Sequence, residues 1–325
     1  MTAVPVNLTV ELPGKPWEVR DRLLDELRLA GVVARADGSR IVVDWPPGEW
    51  EPAEHGRAEL RLESTGRGTR VMVELRRDPD LLAAWFVSQA VAPLLRAASP
   101  EAYGDWLTDR RARRPSGAEA REVYADPIYH WPNFLAILAE LALTADDILL
   151  EVGCGGGAFL REALKSGCRA FAVDQSPDMV RLARELNADA IAEERLEILE
   201  GDAAALPFAN DTCTAAVMTG VLGFLPDPVA VFAEIRRVLA PGGRIVALGS
   251  DPAMKGTPAA PEPMASRLQF YEDSALERIG HEAGLDDVRV ERIPLGDFAR
   301  EAGLPEDAVV FFAGPGAPFL LASKH

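Results

Sequence analysis

The first 75 residues are dominated by short stretches in which apolar and polar side chains alternate, the period of two that a half-buried strand requires. Asn7–Leu12, Arg40–Trp45, Ala58–Glu63 and Thr69–Leu75 fit that period, and Ser64-Thr65-Gly66-Arg67-Gly68 supplies a hairpin turn between the last two. Trp17–Leu29 departs from it, because Val19, Leu23, Leu24 and Leu27 recur at helical spacing. Pro79–Ala98 is apolar enough for a long packed helix. The predicted order is β-α-β-β-β-α, ending near Trp106.

From about residue 121 the pattern changes to short continuous apolar runs separated by amphipathic helices. Ile148–Val152, Ala170–Val173, Leu196–Leu199, Ala215–Met218 and Arg244–Leu248 read as buried strands. Ala158–Ser166, Ser176–Asn187 and Pro228–Leu239 read as helices between them. Strands alternating with helices predict βαβ units, a parallel sheet and right-handed crossovers. The expected organisation is a small α+β domain over residues 1–110, a linker over 111–120, and an α/β domain with an N-terminal helical cap over 121–325. Pro252–Pro263 and Gly296–Pro318 read as irregular.

Composition narrows the function classes. At 325 residues and 48% apolar, the chain can fill two cores. It has no apolar run of the roughly 18 residues a membrane span needs. The segment Met1–Asn7 lacks a basic region followed by an apolar one, so a cytoplasmic protein is expected, without membrane association. Cys154, Cys168 and Cys213 cannot build a disulfide framework. No CxxC pair occurs, and His55, His130, His281 and His325 are scattered, so no metal site is expected. The net charge of −17 is concentrated beyond residue 115, where 33 acidic side chains face 17 basic ones. Such a surface repels phosphate backbones and argues against a nucleic-acid partner. The run Arg110, Arg111, Arg113 and Arg114 reads as a solvated linker.

The chemistry is concentrated after the first strand of the second domain. Glu151-Val152-Gly153-Cys154-Gly155-Gly156-Gly157 leads from that strand directly into a helix. Glycines there permit positive φ and close approach of a ligand to the backbone, and the exposed N–H groups favour an anion. Cys154 fits as a small filler residue within this loop rather than a nucleophile. Asp174, 21 residues after Gly153, ends the second strand, where a carboxylate can accept both hydroxyls of a ribose. Asp202 follows the third strand and suits an exocyclic amine such as adenine N6; a turn cap is the other reading. Gly153-x-Gly155-x-x-Ala158 also satisfies the permissive dinucleotide fingerprint, so the loop by itself leaves two cofactors open.

Five segments stand in order: Glu151-x-Gly153-x-Gly155-x-Gly157, Asp174, Gly201-Asp202-x-x-x-Leu206-Pro207-Phe208, Thr219–Pro228, and Leu239-Ala240-Pro241-Gly242-Gly243-Arg244. In this register the chain, over residues 121–293, resembles the class I S-adenosylmethionine-dependent methyltransferases, particularly the small-molecule group similar to the ubiquinone and menaquinone methyltransferases. The resemblance implies a Rossmann-like α/β sheet with helices on both faces and S-adenosyl-L-methionine as cofactor. It implies that Gly153, Gly155 and Gly157 back the methionine moiety and that Glu151 fixes the loop and the amino group. Cys154 would lie in the same loop. Asp174 would hold the ribose, with Gln175 and Met179 beside the adenine and Asp202 and Ala203 along its edge. Thr219 and Gly220 would present backbone atoms to the amino end. Upstream, the segment Val123–Pro132 is similar to the helical caps of such enzymes, with Tyr124 and Tyr129 as the aromatics reaching the cofactor. A weaker resemblance links the N-terminal region to a shortened helix-grip module. Its size favours a packing or dimerisation role, and a homodimer through it is expected.

The reacting partner is less legible. His130, with Tyr129, is the catalytic candidate in the cap segment. Ile279–Leu285, which holds His281, resembles the family's late helix, and the resemblance implies a place far from the methyl group. Many similar enzymes carry histidines where this chain has Gly223 and Phe224. An apolar or aromatic small-molecule acceptor is therefore expected, with Tyr271 and Val309–Phe312 as candidate substrate-side residues. Two further readings stay open: an enzyme of the same fold, such as a cyclase, that binds the cofactor without methyl transfer, and a non-catalytic ligand-binding protein. High Arg, Ala, Gly and Pro content suggests a bacterial source and specialised metabolism.

Overall fold

The computed structural model describes residues 7–29, 33–45, 56–75 and 100–325. The chain divides into two compact units, Met1–Asp109 and Arg110–His325.

The first unit is a five-stranded sheet with α1 (Pro16–Leu29) packed on it. Its strands are β1 (Asn7–Leu12), β2 (Val33–Asp37), β3 (Arg40–Trp45), β4 (Gly56–Thr65) and β5 (Gly68–Leu75), in the order β1-β5-β4-β3-β2. Every neighbouring pair is antiparallel. The period of two buries Ile41, Val43, Leu60, Leu62, Val71 and Val73 on one face, and Val19, Leu23 and Leu27 of α1 are buried with them. β2 had no apolar alternation to announce it. Val-Ala-Arg-Ala-Asp is largely exposed, and pairing with β3 defines it as a strand. The expected helix Pro79–Ala98, on which the helix-grip resemblance rests in part, together with element order and Gly66–Arg70 before a strand, lies outside the described residues. The unit's last helix is α2 (Pro100–Thr108).

The second unit is an α/β sandwich. In chain order it runs α3 (Gly117–Ala125), α4 (Trp131–Leu141), β6 (Ile148–Val152), α5 (Ala158–Ala163), β7 (Arg169–Asp174), α6 (Pro177–Leu186), α7 (Ala188–Ala192), β8 (Leu196–Glu200) and β9 (Cys213–Met218). It continues through α8 (Pro228–Val238), β10 (Leu239–Leu248), α9 (Asp273–Glu282), β11 (Asp286–Ile293), α10 (Gly296–Glu301), α11 (Glu306–Val309) and β12 (Ala317–Ser323). The sheet order is β11-β12-β10-β9-β6-β7-β8. β6 to β10 are parallel, and β12 is antiparallel to both β10 and β11. The five strands expected from apolar runs are β6 to β10. The expected Rossmann-like sheet with helices on both faces is the architecture observed.

Alternation divides the core between those faces. Leu149, Ala215 and Val217 join α4 and α5 residues such as Ile137 and Phe159 on one side. Leu150, Ala216 and Met218 join Phe232 and Ile235 of α8 and Leu276 of α9 on the other. β11 and β12 were not foreseen. β11 is a partly exposed edge, and β12 follows the stretch read as irregular, within which Ala299, Leu304, Ala308 and Val309 form a small core of their own. The expected linker 111–120 is instead largely structured: one wide turn ends at Arg113, and α3 begins at Gly117. Because the chain leaves β6 towards β7 and β8 and later returns on the other side through β9 and β10, the carboxyl ends of β6 and β9 flank a switch point, where open α/β sheets bind ligands.

Candidate functional site

A cavity of about 1040 Å³ opens over that switch point. The loop after β6 forms its floor. Gly153, Gly155 and Gly157 all take positive φ, at 77°, 50° and 77°, and the N–H groups of Gly153 and Cys154 both donate to the Val173 carbonyl, at 2.8 and 3.2 Å. Gly156 is held to glycine by packing, since a Cβ there would overlap the Tyr124 carbonyl and lie 2.9 Å from Leu182 Cδ2. Gly156→Ala is expected to push α3 off the loop and destabilise the protein by about 1–3 kcal/mol. Denaturant unfolding checks this, and an unchanged midpoint would show that α3 tolerates the displacement.

Carboxylates line the ends of successive strands. Glu151, in β6, is 1% exposed, and its Oε2 has no hydrogen-bond partner. Burial first, then the neighbouring Asp174 charge, push its carboxyl well above the ordinary range. Asp174 ends β7 and accepts from Gly155 N at 2.9 Å and Ser176 N at 2.8 Å. Burial raises its pKa despite those two bonds. Asp202, after β8, lines the cavity while its Oδ1 caps the Ala204 N–H at 2.9 Å, and Ala203 lies beside it. Beyond β9, Thr219 and Gly220 complete this side. The Thr219 hydroxyl is buried and, like Glu151 Oε2, has no partner. The Cys154 thiol also lines the cavity and is pushed far up by burial and then by the charges of Glu151 and Asp174, so it stays protonated.

The cap segment supplies the roof. Tyr124 lies against Gly155, its Cδ1 3.0 Å from where a Cβ would stand, and its hydroxyl donates to the Arg111 carbonyl at 3.3 Å. Burial and the Asp174 charge hold that phenol protonated. His130 closes the single turn Ile128–His130, its N–H donating to Pro127 O at 2.7 Å. Its ring lies 6.0 Å from that of Phe134, which in turn meets Trp131 and Phe159 edge-on. The imidazole is accessible through the cavity but surrounded by protein, which lowers its pKa and keeps it neutral.

Several expected residues fall outside the cavity lining: Gly157, which lies against Ala183 and Asn187, the substrate-side candidates Tyr271 and Val309–Phe312, and also Tyr129 and Met179. Tyr129 is 67% exposed and outside the cavity lining. Successive side chains in a tight turn point in different directions, so His130 faces in and Tyr129 out. Met179 is fully buried with Ala120 and Leu182 beneath α3, away from the cavity. Its position three residues after the capping Ser176 turns it towards α3 rather than towards a ligand. Gln175 does line the cavity, and its Nε2 donates to the Arg113 carbonyl at 2.6 Å.

Other lining residues escaped the sequence reading. Arg113, Arg114 and Pro115, expected in a solvated linker, form part of the wall, and Gln269 enters from the loop before α9. Gln269 is fixed by donating to Leu225 O at 3.0 Å and accepting from the Tyr271 hydroxyl at 2.8 Å. The same loop explains Gly223. A Cβ at that position would lie 2.6 Å from Ser250 Oγ, 2.8 Å from Leu268 Cδ2 and 3.0 Å from the Gln269 carbonyl, so any side chain at 223 would have to displace this loop.

Residues 150–247 match the family described as a methyltransferase domain. Over 99 residues the chain is 33% identical to a ubiquinone biosynthesis O-methyltransferase of Xanthomonas euvesicatoria, covering 30% of this chain and 40% of that protein. Over 110 residues it is 28% identical to the sterol 4-C-methyltransferase strm-1 of Caenorhabditis elegans, covering 34% and 33%. The chain thus spans less than half the length of these relatives. Among solved structures, it resembles a chain of the complex between the Haloferax volcanii Trm112 methyltransferase activator and a putative methyltransferase. That likeness has a TM-score of 0.51 at 22% identity and covers 65% of this chain and all of the other. The expected resemblance to class I methyltransferases is borne out over this region. Among the described residues, no helix is long and apolar enough to cross a membrane, and no group of three or more His, Cys, Asp or Glu could hold a metal ion.

Proposed function

We propose that the second unit binds S-adenosylmethionine and transfers its methyl group to a small, apolar or aromatic acceptor. The observation that carries this reading is a pair of orphaned polar groups. Glu151 Oε2 and Thr219 Oγ1 are the only buried, unpartnered side-chain N or O atoms among the described residues of this unit, and both residues line the cavity. A buried polar atom without a partner costs about 1–3 kcal/mol, so a site that keeps two of them fits a polar ligand able to satisfy them.

The residues present fit this cofactor. Glu151 and Thr219 would meet the ammonium end, Gly153 and Gly155 would back the methionine chain, Asp174 would accept the ribose hydroxyls, and Asp202 with Ala203 would border the adenine. A dinucleotide has no ammonium group to donate to Glu151, which disfavours that alternative. When bound, the cofactor supplies an electrophilic methyl group on a cationic sulfur. The protein's own work is alignment and exclusion of water, which can supply roughly 7–11 kcal/mol of the barrier. Tyr124 and the strap before α3 cover the loop, and Phe134, Phe224 and Pro226 give the acceptor an apolar wall. His130, neutral and in the same cavity, is placed to take a proton from an acceptor hydroxyl or amine.

Calorimetry with S-adenosylmethionine and with NAD tests the cofactor. Binding of NAD alone, or of neither, would overturn the reading. Mass spectrometry of S-adenosylhomocysteine release across a panel of aromatic hydroxy compounds then tests transfer. His130→Ala is expected to lower turnover about 10²- to 10⁴-fold while cofactor affinity stays near wild type. The wild-type rate should rise as pH passes upward through a pKa below the ordinary His value of about 6.5 and be flat above it. A variant with the wild-type rate would leave His130 a packing role against Phe134.

For the first unit we propose self-association. β1 and β2 are the two edges of its described sheet, and an open edge can pair with another copy. Light scattering of the whole chain checks it, and a monomer at all concentrations would rule it out.

A further inference from the structure

The arginine run at 110–114 is the sequence motif to which the proposed cofactor contacts give no role. Two of its members, Arg113 and Arg114, line the cavity, and the guanidinium carbon of Arg113 stands 6.0 Å from the centre of the Phe224 ring. The backbone that carries them is pinned. The Arg113 carbonyl accepts from Gln175 Nε2, the Ser176 hydroxyl donates to the Pro115 carbonyl at 2.5 Å, and the Gly117 N–H donates to Asp178 Oδ2 at 2.7 Å. The cavity is thereby divided by charge. Glu151, Asp174, Glu200 and Asp202 occupy the strand ends, and the arginines stand on the strap with Phe224 beneath. Residues 110–325 carry 33 acidic side chains against 21 basic ones, so this cationic wall runs against the character of the unit around it.

We propose that the acceptor is an apolar body bearing an anionic group, a carboxylate or a phosphate monoester, and that Arg113 is the residue that binds it. This rests on the methyl-transfer reading for the role of the ligand. A guanidinium presents a planar fork of donors to two oxygens of one anion, and an aromatic face behind it fixes the plane of the fork. A lysine offers the charge without the fork. The same wall gives the body of the acceptor its surface, because Leu225, Pro226 and Phe134 line the cavity too.

The test uses the full chain with 2-naphthoate, 2-naphthyl phosphate and the neutral 2-naphthalenemethanol, titrated with and without saturating S-adenosylhomocysteine. At least one anion is expected to bind about tenfold or more tightly than the neutral probe, as a charge-assisted pair implies. The tighter of the two identifies carboxylate or phosphate as the preferred group. Arg113→Met should abolish the preference and leave S-adenosylhomocysteine affinity within about threefold of wild type, with circular dichroism confirming the fold. Arg113→Lys should restore part of the preference. Equal binding of anionic and neutral probes, no binding of either anion, or a preference that survives Arg113→Met would overturn the proposal. Loss of S-adenosylhomocysteine binding with the anion preference intact would instead overturn the cofactor reading alone.

Discussion

Asp174→Ala is expected to weaken binding of S-adenosylhomocysteine about 10²- to 10⁴-fold, since each hydrogen bond from a ribose hydroxyl to a carboxylate contributes about 1.5–3 kcal/mol. The structure adds a second cause. The same carboxylate accepts from Gly155 N and Ser176 N, so it ties the glycine loop to the start of α6. Asp174→Asn separates the two causes. One amide oxygen can still accept, whereas the amide NH₂ faces an N–H where an oxygen stood. Asn should therefore retain most of the fold's stability and little of the affinity. The sheet itself does not depend on Asp174, and thermal unfolding should remain cooperative in both variants. Wild-type affinity in Asp174→Ala, measured by calorimetry, would remove the ribose assignment.

The place of Asp174 in the cavity was legible in the sequence because it follows from position: an acid at the end of a buried strand, a fixed distance from a glycine loop. The same logic located Glu151, Asp202 and Thr219, which all follow or end parallel strands whose apolar runs are unmistakable. Where side-chain direction depends on local turns, position was a poorer guide. Tyr129 and His130 are adjacent, and only the single turn Ile128–His130 decides which faces the cavity. Met179 is buried with Ala120 and Leu182 and does not line the cavity. Tertiary contacts were not legible at all. The arginine run reads as solvated until hydrogen bonds with Gln175, Ser176 and Asp178 bring its backbone onto β7 and α6. The glycine at 223 has no local reason; Ser250 and Leu268 supply it from far along the chain. Of the strands that pattern missed, β2 and β11 are edge strands with exposed positions, where pairing rather than burial sets the conformation, whereas β12 is interior and buried and begins inside the Gly- and Pro-rich stretch read as irregular.

Glu151→Gln should stabilise the unliganded protein and at the same time weaken cofactor binding, two effects that a packing residue would not combine. Burial and the Asp174 charge raise the Glu151 pKa in the folded state, so folding takes up a proton once pH exceeds the ordinary glutamate value of about 4.3. Stability that depends on such a group falls as pH rises from that value towards the raised one. Glutamine mimics the protonated form and removes the dependence. The variant's unfolding temperature should then exceed wild type at neutral pH, by about 2–4 °C for each kcal/mol relieved, and should vary less with pH. An ammonium group placed against Glu151 reverses the balance by favouring the carboxylate. Wild-type binding of S-adenosylhomocysteine should therefore release a proton and strengthen as pH rises from the ordinary glutamate value towards the raised one. Calorimetry in buffers of different ionisation enthalpy reads that proton directly. In Glu151→Gln the proton release should vanish and affinity should fall about 10- to 100-fold. A variant that is less stable than wild type yet binds equally well would show that Glu151 holds the loop by packing and that the cavity's orphaned oxygen awaits no cation.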